Sequence, residues 1–333
     1  MNKAIKALKY LIFSLLTLLF LYFVFKDVDV LHLLKDVAEA NPLYILLSLF
    51  FALIGYLIRA ARWQLIINAS QHNVSFTNSF KAITTGYLAN MLLPRLGEIS
   101  RCAFLTKKES VPFDFLIGTV IVERIIDLII LFILLIITAL YKLDFFGTFF
   151  LNSFQKAYLA IDIKLLLIIA LTIFIVFGIL LLLFRKKIIQ TVFYRKISDF
   201  IKGILHGIFT IKHMQKRNLF IIQTIAIWLM YWLMTWIVFF AIEPTKNLDM
   251  IDGLFILIAG GIAMIVPVQN GFGAFHGIVA SALTIYGLDF ETEGLLFAVI
   301  CHESQTILIV ILGTFSILST LSVFKKKNIK SKI

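Results

Sequence analysis

The stretch from Gly260 to Gly277, GGIAMIVPVQNGFGAFHG, interrupts apolar helical sequence with Pro267 and then with Gly271 and Gly273. Its flanks are apolar enough to lie in a membrane. Proline removes a backbone donor and breaks a helix, and hydrocarbon cannot satisfy the groups so released, so such a break must sit inside protein or beside water. The break therefore marks a site. The same punctuation occurs earlier, where Met91-Leu92-Leu93-Pro94 anticipates Met264-Ile265-Val266-Pro267 and is followed by Arg95, Gly97, Glu98 and Arg101. The two stretches read as broken helical hairpins that face one cavity.

With 61% of its 333 residues hydrophobic and 15% charged, the chain is excluded from the ordinary soluble class. An all-α, polytopic membrane protein is expected. Runs near the 20 residues or so that a span needs lie at 6–26, 43–66, 115–141, 163–184, 218–242 and 294–322. Pieces at 76–93, 98–106, 250–266 and 274–287 are too short to cross. Lys3, Lys6 and Lys9 ahead of an apolar run resemble a signal peptide, but Ala38-Glu39-Ala40 lies too far beyond that run for a cleavage site, so an uncleaved first helix is the reading. Cys102 and Cys301 imply no disulfide framework and are read as packing residues.

Counting charge by loop gives the topology. The basic N-terminus is placed inside and the acidic connection with Asp27, Asp29, Asp36 and Glu39 outside. A hairpin at 76–106 enters and leaves on the cytoplasmic side at Lys81, Lys107 and Lys108. Residues 185–217, with nine Lys or Arg against Asp199 alone, form a basic cytoplasmic linker. A second hairpin at 250–287 opens outside between acidic groups, and the lysines from Lys325 onward return to the cytoplasm. This puts 24 of 31 Lys and Arg inside, as the positive-inside rule asks. Halves 1–162 and 163–333 of one integral membrane domain then each read span, span, hairpin, span, and three crossings per half invert the second copy.

Several residues carry candidate chemistry. Glu123, Arg124 and Asp127 lie well inside the hydrocarbon if 115–141 is a span, where charges cost several kcal/mol unless paired or wet. A buried ion pair that fixes packing is the plain reading; a polar cavity wall with Arg124 attracting a phosphate is the functional one. Arg95, Glu98 and Arg101 share one helical face and suit a phosphate bidentately, or else snorkel to headgroups. Arg59, Arg62 and Trp63 read as interface anchors only. In the last span, His302 and Glu303 point to different sides of the helix. A metal site from His276, His302 and Glu303 is not expected, and His276 reads as a helix cap near the cavity.

The segments N-M-L-L-P-R-L-G-E-I-S-R (Asn90 to Arg101), V-E-R-I-I-D (Val122 to Asp127) and V-P-V-Q-N-G-F-G-A-F-H (Val266 to His276) resemble the lysylphosphatidylglycerol synthase transmembrane-region family. This is the flippase-like membrane domain of multiple peptide resistance factor proteins, and the resemblance covers nearly the whole chain. It implies a lipid flippase fold with re-entrant segments and points to Arg95, Gly97, Glu98, Arg101, Glu123, Arg124, Asp127, Pro267, Gly271 and Gly273. Many relatives carry a Gly pair and then a Glu in the second break, where this chain has Asn270-Gly271 and His276. The chain stops soon after the last span, so the soluble aminoacyl-transferase domain of larger relatives is not expected, nor is synthase activity.

The function expected is movement of a phospholipid or lipid-linked anionic headgroup across a bacterial or archaeal cell membrane, without enzymatic conversion, cofactor, metal or nucleic acid. Substrate contacts are assigned to Arg95, Glu98, Arg101, Glu123, Arg124, Asp127, Asn270, His276, His302 and Glu303, and the structural breaks to Pro94, Gly97, Pro267, Gly271 and Gly273. Energy would come from no nucleotide but from a passive or ion-coupled cycle, with Glu98, Asp127 or His302 as proton carriers. A small-solute secondary transporter and an intramembrane enzyme on lipid-linked substrates remain open, as does assembly into a homo-oligomer.

Overall fold

A computed structural model describes residues 3–70, 72–142 and 214–330, which contain ten α-helices and no strand. They are α1 (Lys3–Phe25), α2 (Val30–Glu39), α3 (Pro42–Asn68), α4 (Phe76–Leu92), α5 (Leu96–Glu109), α6 (Phe113–Tyr141), α7 (Arg217–Ile237), α8 (Met250–Ala263), α9 (Ala274–Thr284) and α10 (Leu295–Lys330). The chain divides into two compact units, Met1–Glu123 with Met214–Ile333, and Arg124–His213. The described part of the second unit is the apolar remainder of α6, in which Thr138 returns its hydroxyl to the Leu134 carbonyl at 2.9 Å. The expected span 163–184 and most of the linker 185–217 lie outside the described residues.

Among the described residues, three helices are long and apolar enough to cross a membrane: Pro42–Asn68, Arg217–Ala241 and Phe290–Leu321. Many of their outward side chains are large and apolar, among them Leu46, Phe50, Ile222, Ile225, Phe315 and Leu318. An outer surface of that kind suits a hydrocarbon solvent and would be a liability in water. Each start is written locally. Asn41 caps α3 with Pro42 behind it, Asp249 and Asp252 form a reciprocal capping box on α8, and Asp289 accepts from Glu291 and Thr292 ahead of α10. The acidic connection expected as a loop instead folds in part as α2, because Asp29 accepts from the Leu31 and His32 amides.

Both proline breaks fall where the sequence placed them. Leu93 is extended and Arg95 left-handed at φ 63°, which turns the chain between α4 and α5. The Asn90 side-chain oxygen then accepts from the Gly97 amide at 2.6 Å, satisfying an open end of α5. A Cβ on Gly97 would stand 2.3 Å from the Gly86 carbonyl, so only glycine lets α4 and α5 approach this closely. Around the second break Asn270 has φ 48° and Gly273 φ 76°, and a Cβ on Gly273 would meet Phe20 of α1 at 2.7 Å. Left-handed backbone costs little at glycine and is tolerated by asparagine.

Each broken pair has its own core. Trp63, Ile67, Ala82, Ile83, Leu105 and Leu116 are buried together around α4 and α5. Phe239, Ile256, Val279, Leu283 and Phe297 are buried together around α8 and α9. The two are seamed by α3 packed on α7, where Ser48 donates to the Met234 carbonyl at 2.8 Å, and by α10. Gly313 of α10 sits against Leu88 and Thr84 of α4, with Ser316 and Thr84 hydroxyls 2.8 Å apart, while Gly294, just ahead of α10, sits against Ala280 of α9.

Candidate functional site

Glu123, with none of its side chain exposed, receives three guanidinium groups. Arg59 Nε lies 2.7 Å and Arg62 Nη2 3.3 Å from Oε1, and Arg101 Nη2 lies 2.9 Å from Oε2. Each arginine is held from behind. Arg59 donates to the Tyr231 hydroxyl at 2.8 Å and Arg62 to the Thr224 hydroxyl at 3.3 Å, while Arg101 stacks 4.6 Å above the Trp63 ring. Trp63 itself donates to Thr119 at 3.0 Å. Each guanidinium is thus held by a second partner besides Glu123, which leaves it little rotamer freedom.

Arg59, Arg62 and Trp63 are therefore not interface anchors. Arg62 and Trp63 are fully buried, and the reason is the azimuth of α3. Ser48, Ala52, Gly55, Arg59, Arg62 and Trp63 recur at spacings of three and four along its buried face, so the arginines point into protein and not toward headgroups.

Of the residues proposed from sequence, Arg101 and Glu123 meet here. Arg95 does not share their face: as the left-handed residue ahead of α5 it is exposed, while Arg101 is buried. Glu98 lies in the first turn of α5 and acts electrostatically on Cys102 together with Arg101 and Glu123. Arg124, exposed, and Asp127, partly buried, fall in the second compact unit. The described ion pairs of Glu123 go to Arg59, Arg62 and Arg101.

The second break supplies a second cluster. Glu303 Oε1 lies 2.9 Å from His302 Nδ1 and 3.3 Å from His276 Nε2, with His276 and His302 buried. His302 and Glu303 were expected on different sides of α10. They converge because the glutamate side chain is long enough to fold back and because His276, arriving from α9, closes the gap. Asn270 accepts from His302 Nε2 at its carbonyl, 2.9 Å away, and donates its side-chain amide to Thr306 at 3.1 Å. His276 also behaves as a cap, its Nδ1 accepting from the Gly273 amide at 3.3 Å. Phe272 and Phe275 cover His302 with ring centroids 5.2 and 5.0 Å away.

By distance alone His276, His302 and Glu303 could hold a metal ion, since their ligand atoms lie within 4.8 Å of one another. The hydrogen-bond pattern disfavours it. A metal would need the lone pair of His276 Nε2, but that atom carries the ring proton while the Gly273 amide occupies Nδ1.

The breaks touch each other, and hydrogen bonds link α3 and α10, the helices that carry parts of the two clusters. Gln269 donates its side-chain amide to the Leu92 carbonyl at 3.1 Å and its backbone N–H to the Thr17 hydroxyl of α1 at 3.1 Å. Tyr56, one turn before Arg59 on α3, donates to Gln305 at 3.4 Å, and Gln305 donates to Ser48 at 3.3 Å. Tyr56, Tyr231 and Gln269 were not singled out from sequence. The one signal that could have found them is polar residues recurring at helical spacing within apolar spans.

Residues 7–313 match a family described as lysylphosphatidylglycerol synthase TM region. The chain is similar to a UPF0104 membrane protein of Methanocaldococcus jannaschii, 29% identical over 126 residues, which are 37% of this chain and 38% of that protein. It is also similar to one of Pyrococcus horikoshii, 28% identical over 181 residues, 52% of this chain and 54% of that protein. The matches thus span about half or less of these curated relatives. No solved structure matches.

Proposed function

We propose that this chain, which belongs to the lysylphosphatidylglycerol synthase TM-region family, moves an anionic lipid headgroup across the membrane between its two interrupted helical pairs. The observation that carries the reading is the gathering of Arg59, Arg62 and Arg101 on the one carboxylate of Glu123. A phosphodiester offers two acceptor oxygens in much the geometry of a carboxylate, so it can take the place of Glu123 on these guanidinium forks. A resident carboxylate also spares the arginines an uncompensated charge between substrates, which in a buried setting would cost several kcal/mol. Acyl tails would stay in lipid.

On this reading α4 with α5, and α8 with α9, are re-entrant. Their 17, 14, 14 and 11 residues rise only about 26, 21, 21 and 17 Å at 1.5 Å per residue, against a hydrocarbon core of about 30 Å. About six spans carry the rest, with both termini in the cytoplasm of a bacterium or archaeon and the halves 1–162 and 163–333 inverted. The charge distribution and the separate core under each broken pair support this. The reading is of transport without chemical change, and a purified chain that converted lipid unaided would overturn that part.

The test is headgroup translocation by the purified chain in proteoliposomes. A charge-assisted hydrogen bond is worth about 1.5–3 kcal/mol, so Arg101→Gln should slow movement by about 10- to 100-fold. An unchanged rate removes the cluster from the path.

A further inference from the structure

The partners of His276 and His302 fix where their protons are. A backbone amide only donates, so His276 Nδ1, 3.3 Å from the Gly273 amide, is an acceptor, and the ring proton at Nε2 points to Glu303 Oε1. A backbone carbonyl only accepts, so His302 Nε2, 2.9 Å from the Asn270 oxygen, carries a proton. What remains is His302 Nδ1 at 2.9 Å from Glu303 Oε1. With one ring proton on His302 and an ionised Glu303, two lone pairs would face each other at hydrogen-bonding distance. One further proton must sit between them, as imidazolium against carboxylate or as carboxyl against imidazole.

We propose that His302 and Glu303 share a labile proton that latches the second break, and that this is where proton movement is coupled to the transport cycle. The coupling half rests on the transport reading; the shared proton does not. Loss of the proton leaves Nδ1 and Oε1 in repulsion and loosens both things the pair holds. One is the Asn270 carbonyl, at the left-handed residue of the break, and the other is His276, which caps the first turn of α9. Protonation closes the latch and deprotonation frees the break.

The surroundings leave this proton to the three groups themselves. Among the described residues, the charges acting on His276 and Glu303 are one another and His302. The break presents Gln269 and Asn270, α1 presents Thr17 and Phe25, α10 adds Gln305 and Thr306, and α3 reaches the site through the phenol of Tyr56 on Gln305. Glu303 is 36% exposed while the rings of His276 and His302 are 2% and 7% exposed, so the proton exchanges from the Glu303 side.

The test uses the full chain in liposomes, wild type beside Glu303→Gln, His302→Gln and the conservative Glu303→Asp, each checked for native elution. A rise in pH should release one proton per chain, with a carboxyl or imidazole band in infrared difference spectra that both glutamine variants lose and Glu303→Asp retains. Under an imposed gradient of one pH unit, lipid carried with one proton should accumulate by about tenfold, and Glu303→Gln should abolish the bias. A band unaltered by both glutamine variants overturns the shared proton, as does a stoichiometric divalent metal that copurifies and is lost in them. Lipid movement indifferent to the gradient overturns the coupling. A titrating band in vesicles that move no lipid confirms the proton site and defeats the transport reading instead.

Discussion

The side-chain amide of Gln269 donates to the backbone carbonyl of Leu92 at 3.1 Å, so two interruptions 177 residues apart in sequence are in direct contact. Leu92 ends α4, and its carbonyl is one of the four that a helix C-terminus leaves open. Cysteines placed at Leu92 and Gln269 should therefore cross-link under mild oxidation, read as a mobility shift on gels. The cross-link should stop lipid movement and reductant should restore it; failure to cross-link would separate the breaks.

Gly97→Ala should be among the worst single substitutions in the chain. The new methyl would sit 2.3 Å from the Gly86 carbonyl, a backbone atom that cannot turn away, and overpacking of this kind costs about 1–3 kcal/mol or more. Gly118→Ala in α6 meets nothing within 4 Å and should be neutral or stabilising by up to about 1 kcal/mol. Thermal unfolding in detergent distinguishes them.

Removing Glu123 should unsettle the arginines more than removing any one of them unsettles it. Breaking a buried pair leaves a charge uncompensated and costs about 3–5 kcal/mol, so Glu123→Ala should lower the unfolding midpoint by several degrees. Glu123→Asp, which keeps the charge, should lose less. A Glu123→Ala midpoint equal to that of the wild type would mean that the carboxylate is dispensable to the fold.

A re-entrant second pair requires Asn247 and Glu291, which flank α8 and α9, to lie on one side of the membrane. Both are exposed. Cysteines at the two positions should react with an impermeant reagent added outside. Modification from opposite sides would make the segment a full crossing and dissolve the inverted halves.

Asp289 gives a pH dependence with a definite sign. Its carboxylate accepts from the Thr292 hydroxyl at 2.7 Å and from the Thr292 and Glu291 amides, and these bonds, the Thr292 hydroxyl first, hold it below the usual range. A depressed carboxylate contributes its stability above its unfolded value of about 3.9 and loses it on acidification through the folded value. The cap should therefore weaken below about pH 4, and Asp289→Asn, which caps without titrating, should flatten that part of the stability profile.

The breaks were legible because Pro94, Pro267 and Gly273 act on backbone geometry that tertiary contacts do not reverse. The ends of α4, α5, α8 and α9 consequently fall within a few residues of the apolar runs at 76–93, 98–106, 250–266 and 274–287. The arginine cluster was half legible. Arg101 and Glu123 stood in recognisable motifs, whereas whether Arg59 and Arg62 snorkel or point inward depends on how α3 is rotated, and that is set by its packing on α7. The signal was present in the small residues Ser48, Ala52, Gly55 and Ala60 along the same face. The meeting of His302 with Glu303 was hidden for another reason: a helical wheel records where side chains leave the backbone, and here a residue from α9 decides where they end.

Gly313 near the middle of α10 and Gly294 just ahead of its first residue leave two bare patches, one for α4 and one for α9. The final helix thereby lies in backbone-close contact with both broken pairs, like an axle between two wheels. A bulky residue at either patch would push the helices apart while leaving the distant charges in place, so on the transport reading it would slow passage from a position remote from the arginines.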